Sequence, residues 1–208
     1  PVHKAYIRLA LPLVFSMIVT MIYNLADTYF IAATGNTSLV AGVSLCAPVF
    51  TLLMAFGNIF GQGGTSLISR MLGQKDAAGV RRVSAFCFYG ALLCGAVVGG
   101  IMLIFSGPLL RVLGADDQTL GHAPYYTVLA IGAPFTVASF IPSNLLRAEG
   151  MSRESMIGSV SGAVLNIILD PILISVCGMG AMGAAIATVA GYLLSDFYFC
   201  MVILKKSR

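Results

Sequence analysis

Six long apolar runs, at about 9–33, 39–69, 83–106, 124–146, 155–177 and 182–204, alternate with short polar segments along the chain. Each is long enough to cross a bilayer as a helix at 1.5 Å per residue. The second is long enough to tilt or to project beyond the hydrocarbon. Alternation of period two is absent, which disfavours a membrane β-barrel. The pattern predicts an all-α membrane protein with six transmembrane helices. The first run contains Asp27 and leads directly into further spans, unlike a cleaved leader.

Composition supports that class. Of the 208 residues 58% are hydrophobic and 10% are charged, and the mean hydropathy is +0.94. Soluble domains carry about 25% charged residues, so there is too little charge here to cover a soluble surface. The net charge of +4 is spread over short connections and forms no stripe, which excludes a nucleic-acid partner. Five cysteines lie within or beside apolar runs without C-x-x-C spacing, and they read as small packing residues.

The connections set an orientation. Lys4, Arg8, Arg70, Lys75, Arg81, Arg82, Arg147, Arg153, Lys205, Lys206 and Arg208 fall on one side of a six-span chain. Arg111 stands alone on the other, beside Asp116 and Asp117. Under the positive-inside rule both termini are cytoplasmic, in a multi-pass protein of the cytoplasmic (inner) membrane. Glycine pairs at four-residue spacing (Gly57 and Gly61, Gly95 and Gly99, Gly158 and Gly162) are suited to close helix packing. Pro12, Pro48, Pro134, Pro142 and Pro171 interrupt spans and free carbonyls one turn earlier.

Three acids are out of place. Asp27, Asp170 and Asp196 lie inside spans. An ionised Asp at a helix centre costs ~2.5–3.5 kcal/mol on insertion scales. No Lys or Arg lies deep in any apolar run to pair with them, so they are protonated, face water or hold an exchangeable cation. Asn166 and Asp170 are i, i+4 on one helical face, and Pro171 frees the carbonyl of Ile167 beside them. These are hard oxygen ligands, suited to a proton or to a small cation such as sodium. Thr20, Tyr23, Asn24 and Asp27 form a polar stripe on helix 1, and Thr188 and Tyr192 are i, i+4 on helix 6. The plain alternatives are hydrogen-bonded structural acids, Asn166 as inter-helix glue, and Thr188 bonded back to its own helix. Asp196 is nearer the cytoplasmic end and can reach water there.

Four stretches carry a resemblance to a known family. They are Asn24–Gly35 (NLADTYFIAATG), Gly63–Gln74 (GGTSLISRMLGQ), Arg147–Arg153 (RAEGMSR) with Leu165–Ile174 (LNIILDPILI), and Met179–Thr188 (MGAMGAAIAT). Together they resemble the MATE (multidrug and toxic compound extrusion) transporters, over the whole chain. The resemblance implies one six-helix lobe, N-terminal, of a two-lobe antiporter that exports organic cations or amphipathic drug-like compounds in exchange for sodium or protons, with no other cofactor. It implies a cation site at Asp27, Asn166, Asp170 and Thr188, a hinge at Pro12, and a substrate-facing side with Thr20, Tyr23, Asn24 and Tyr192. The partners implied are the lipid bilayer and a second six-helix lobe, either a missing C-terminal half or a second copy. Ala32 and Ala33 stand where many members have a Gly. Three rivals remain: a lipid-linked precursor flippase, an intramembrane aspartyl enzyme, and a structural membrane module that transports nothing. The enzyme would need a G-x-G-D type motif, which is absent. A serine version would need a His within a span, and His3 and His122 lie outside them.

Overall fold

The computed structural model describes residues 2–112, 114 and 123–206. Asp116, Asp117, His122 and Arg208 lie outside the described residues. The chain forms α1 (Val2–Ala33), α2 (Thr37–Gly73), α3 (Ala77–Ile104), a short α4 (Ser106–Val112), α5 (Ala123–Ala138), α6 (Phe140–Ala148), α7 (Ser152–Pro171), a π-helical turn (Ile172–Val176) and α8 (Gly180–Lys206). Six spans result. α5 and α6 together make the fourth, and α7 with the π turn makes the fifth.

The breaks follow from proline chemistry. Pro142 has no N–H for the carbonyl of Ala138, and α5 ends at that residue. The chain stays helical in direction through Ser139, whose hydroxyl bonds back to the Thr136 carbonyl at 2.9 Å. Pro171 likewise leaves Ile167 unserved, and the next turn widens to π geometry, with Cys177 N–H donating to Ile172 O at 2.8 Å. Pro12 does not break α1, which runs unbroken from Val2 to Ala33. Connections are tight. Asp76 caps α3 by accepting from Gly79 N–H at 2.9 Å. Gly150, at φ +80°, ends α6 where a side chain would be strained.

Polarity is distributed as a bilayer demands. α1 presents Leu11, Met21, Leu25 and Tyr29 outward, and α3 presents Phe86, Tyr89 and Leu93. Inside, Leu53, Ala91, Tyr126 and Val137 knit α2, α3 and α5 into one core. A second cluster joins Ile31, Leu39, Ile174 and Ala184 at the end of α1. A third joins Leu146, Phe199 and Val202 at the opposite end. Small residues set the crossings: a Cβ on Gly95 would lie 2.9 Å from Ala133 O, and one on Gly191 2.8 Å from Gly162 O. The α7–α8 pair packs extensively, and α1 rests mainly on α7.

Candidate functional site: buried carboxylates beside an amphipathic cavity

α7 and α8 hold the centre of the site. Asn166 and Asp170 are buried on the same face of α7, at 2% and 0% exposure. With its amide oriented to satisfy both neighbours, Asn166 donates to Asp170 Oδ2 at 3.2 Å. Its oxygen accepts from Thr188 Oγ1 at 3.3 Å and from Thr188 N–H at 3.2 Å. One residue therefore links a carboxylate on α7 to a hydroxyl on α8. Asp27 approaches from α1. Its charge is within electrostatic reach of Asp170. The outer oxygens, Asp27 Oδ1 and Asp170 Oδ1, are buried and accept no hydrogen bond from the protein. An orphaned buried carboxylate oxygen is costly.

The remaining stripe residues divide. Tyr23 and Tyr192 lie within interaction range of each other across the α1–α8 contact, and Tyr192 also packs at a tilt against Phe50, with ring centroids 6.4 Å apart. Thr20 bonds back to the Ser16 carbonyl at 2.9 Å, and Asn24 lies exposed on α1. Asp196 also has a buried, unpartnered Oδ1, close to Tyr192 and Cys200 rather than to the Asp27–Asp170 region. Tyr125, at the start of α5, was not singled out by sequence. It lies within electrostatic reach of Asp27, Asp170 and Tyr23 together. An aromatic at the head of an apolar run carries no distinguishing signal.

Beside this cluster opens a cavity of about 630 Å³. Asn166, Thr188, Tyr23, Asn24, Thr20 and Tyr192 contribute to its wall. So do Met17, Met21, Met54, Phe50 and Phe140, a soft apolar surface that can repack around different shapes. Neither Asp27 nor Asp170 contributes to that wall. Arg147, which reads as a loop residue, lies in the last turn of α6 and also lines the cavity. Among the described residues no group of three or more His, Cys, Asp or Glu gathers as a transition-metal site would require.

An all-α bundle of six spans, with a buried acid joined through an amide to a mixed-polarity cavity, is the architecture of a membrane transporter lobe. The MatE family model matches residues 12–172, and the chain belongs to that family, whose members are transporters and not enzymes. It is 36% identical over 208 residues to the multidrug export protein MepA of Staphylococcus aureus (strain NCTC 8325 / PS 47), covering 100% of this chain and 46% of the relative. Among solved structures it is similar to MATE in the straight conformation (32% identity, TM-score 0.92) and in the bent conformation (32% identity, TM-score 0.90). Each match covers 99% of this chain and 46% of the solved one. The chain thus spans about half the length of the relatives it matches.

Proposed function

We propose that this chain is the cation-binding N-terminal lobe of an antiporter. It exports organic cations and other amphipathic compounds across the cytoplasmic membrane in exchange for sodium or protons. The observation that carries the reading is the unbroken link from Asp170 through Asn166 to Thr188 on the cavity wall. Asp27 and Asp170 take the ion or proton. Asn166 reports the state of Asp170 to α8, because its amide must serve both neighbours at once. Tyr23 and Tyr192 tie the same event to α1. A change of charge at the acids therefore alters the packing of α1 against α7 and α8, and with it the cavity. Two lobes rocking about a shared cleft would convert that change into alternating access.

The positive-inside count supports a cytoplasmic side for both termini of this segment. A second six-helix lobe completes the cleft, in keeping with relatives about twice this length. The methionine-rich wall suits a range of amphipathic substrates rather than one.

The test is ion-driven dye efflux from everted vesicles carrying the full-length protein. Asp27→Asn and Asp170→Asn should each abolish acceleration by a sodium or proton gradient. Efflux that stays gradient-dependent in both variants would overturn the reading. Running the two gradients separately identifies the coupling ion.

A further inference from the structure

The cavity wall carries a single charged side chain among the described residues, and it is positive: Arg147. It is half-buried, at the end of the cavity remote from the acids. Asn166 and Ser155 are eleven residues apart on α7, which is about 16 Å along a helix axis. Arg147 Nε donates to Ser155 Oγ at 3.0 Å and its Nη2 donates to Ser143 Oγ at 2.9 Å. The two hydroxyls are 3.0 Å apart, and Ser155 Oγ also donates to the Ser143 carbonyl at 3.1 Å. Ser143 and Ser155 are themselves buried, at 7% and 1% exposure.

This arrangement orients a guanidinium without neutralising it. Hydroxyls hold Nε and Nη2 in one plane across the α6–α7 junction, while Nη1 carries two further donors that these bonds do not use. A rigid planar fork of this kind matches the geometry of a carboxylate or phosphate. A cation half-removed from water is costly without a counter-charge, and an incoming oxyanion supplies one. The wall beyond it is apolar, with Leu13, Met17, Phe140 and Phe199 alongside.

We propose that Arg147, set by Ser143 and Ser155, is an anion subsite of the cavity that binds the phosphate or carboxylate of an amphipathic molecule whose apolar body lies along the methionine and phenylalanine wall. This rests on reading the cavity as the substrate cavity. It adds that accepted compounds include anionic and zwitterionic amphiphiles, whose oxyanion sits at the end away from the acids.

The test is a titration of the full-length protein in maltoside with dodecyl phosphate and, separately, with dodecanol. Saturable binding that favours dodecyl phosphate is expected. Arg147→Gln should lower the dodecyl phosphate to dodecanol affinity ratio about 10- to 100-fold, the worth of a charge-assisted bond or two. Arg147→Lys, which keeps the charge and loses the fork, should lower it less. A purely structural role would weaken both probes alike and leave the ratio where it was, which overturns the proposal. So does a native protein that binds the two probes equally. If Arg147→Gln fails to fold, Ser155→Ala removes one anchor of the fork and should shift the ratio in the same direction; an unmoved ratio there overturns the proposal too. Nanodiscs separate two sources of the anion. Displacement of dodecyl phosphate by phosphatidylglycerol, but not by phosphatidylcholine, identifies a membrane lipid, and lack of displacement identifies a soluble amphiphile; both support the subsite. Asp27→Asn and Asp170→Asn should retain the ratio while losing ion-driven efflux, so failure of the subsite and failure of the antiporter reading are distinguishable.

Discussion

Gly162 on α7 and Gly191 on α8 meet backbone to backbone, one turn from the Asn166–Thr188 bond. A Cβ on Gly162 would lie 2.5 Å from Gly191 O, and one on Gly191 would lie 2.8 Å from Gly162 O. Neither backbone can retreat without separating the helices, so this crossing holds the amide within reach of the hydroxyl.

Gly191→Ala should therefore cost about 1–3 kcal/mol of stability by overpacking and disconnect Asn166 from Thr188. The expected result is a lower melting temperature together with weakened gradient dependence of efflux. Gly63 has open space at its Cβ position, so Gly63→Ala is the control. Equal behaviour of the two variants would refute the role of the crossing.

Thr188 is expected to act through its hydroxyl. Thr188→Ser keeps the oxygen that faces Asn166 and should retain most gradient-driven efflux, whereas Thr188→Val keeps the shape and should lose it severalfold. The loss of one such bond is worth about 0.5–1.5 kcal/mol, and more if the Asn166 amide is left unsatisfied. Side-by-side transport at matched expression checks this.

Tyr125 is expected to matter because it lies within reach of both acids. Tyr125→Phe removes only the hydroxyl from a site where Asp27 and Asp170 each have an unpartnered oxygen. Efflux should need a severalfold higher sodium or proton concentration for half-maximal rate. The neighbouring Tyr126 packs in the α2–α3–α5 core. Tyr126→Phe should leave that concentration dependence in place, which makes it the comparison.

The orientation has a direct check in the native cysteines. Cys177 is exposed in the turn between the fifth and sixth spans, whereas Cys46 and Cys87 are buried. With cytoplasmic termini, a membrane-impermeant maleimide added outside intact cells should label Cys177 and spare Cys46 and Cys87. Labelling of Cys177 only in everted vesicles would reverse the topology.

The family resemblance implies a hinge at Pro12, yet α1 is continuous through it. A proline inside a helix costs about 3 kcal/mol relative to alanine, so Pro12→Ala should stabilise the unbroken form. If bending of α1 belongs to the cycle, efflux should fall while thermal stability rises. A rise in both would remove Pro12 from the cycle.

Much of this molecule is legible along the chain. Hydropathy alone marks six spans, because a helix in hydrocarbon must be apolar on most sides. The i, i+4 spacing of Asn166 and Asp170 puts them on one face of α7 whatever surrounds it. The four blocks that include Asp27 and Asp170 point to the family. Other features depend on how helices cross. Tyr125 comes within electrostatic reach of the acids because α5 packs against α8 and α2, a relation that no local pattern encodes. Arg147 appears as a loop cation until Pro142 and the turn at Gly150 place it in α6, with its fork on Ser155 from the next helix. That the acids stay off the cavity wall depends on how α1, α7 and α8 approach one another, with the α7–α8 crossing set by the Gly162–Gly191 contact. Spacing within one helix sets which side chains share a face. Only the register and distance between helices decide which faces meet, and those are set by small residues packing at separations a sequence pattern does not measure.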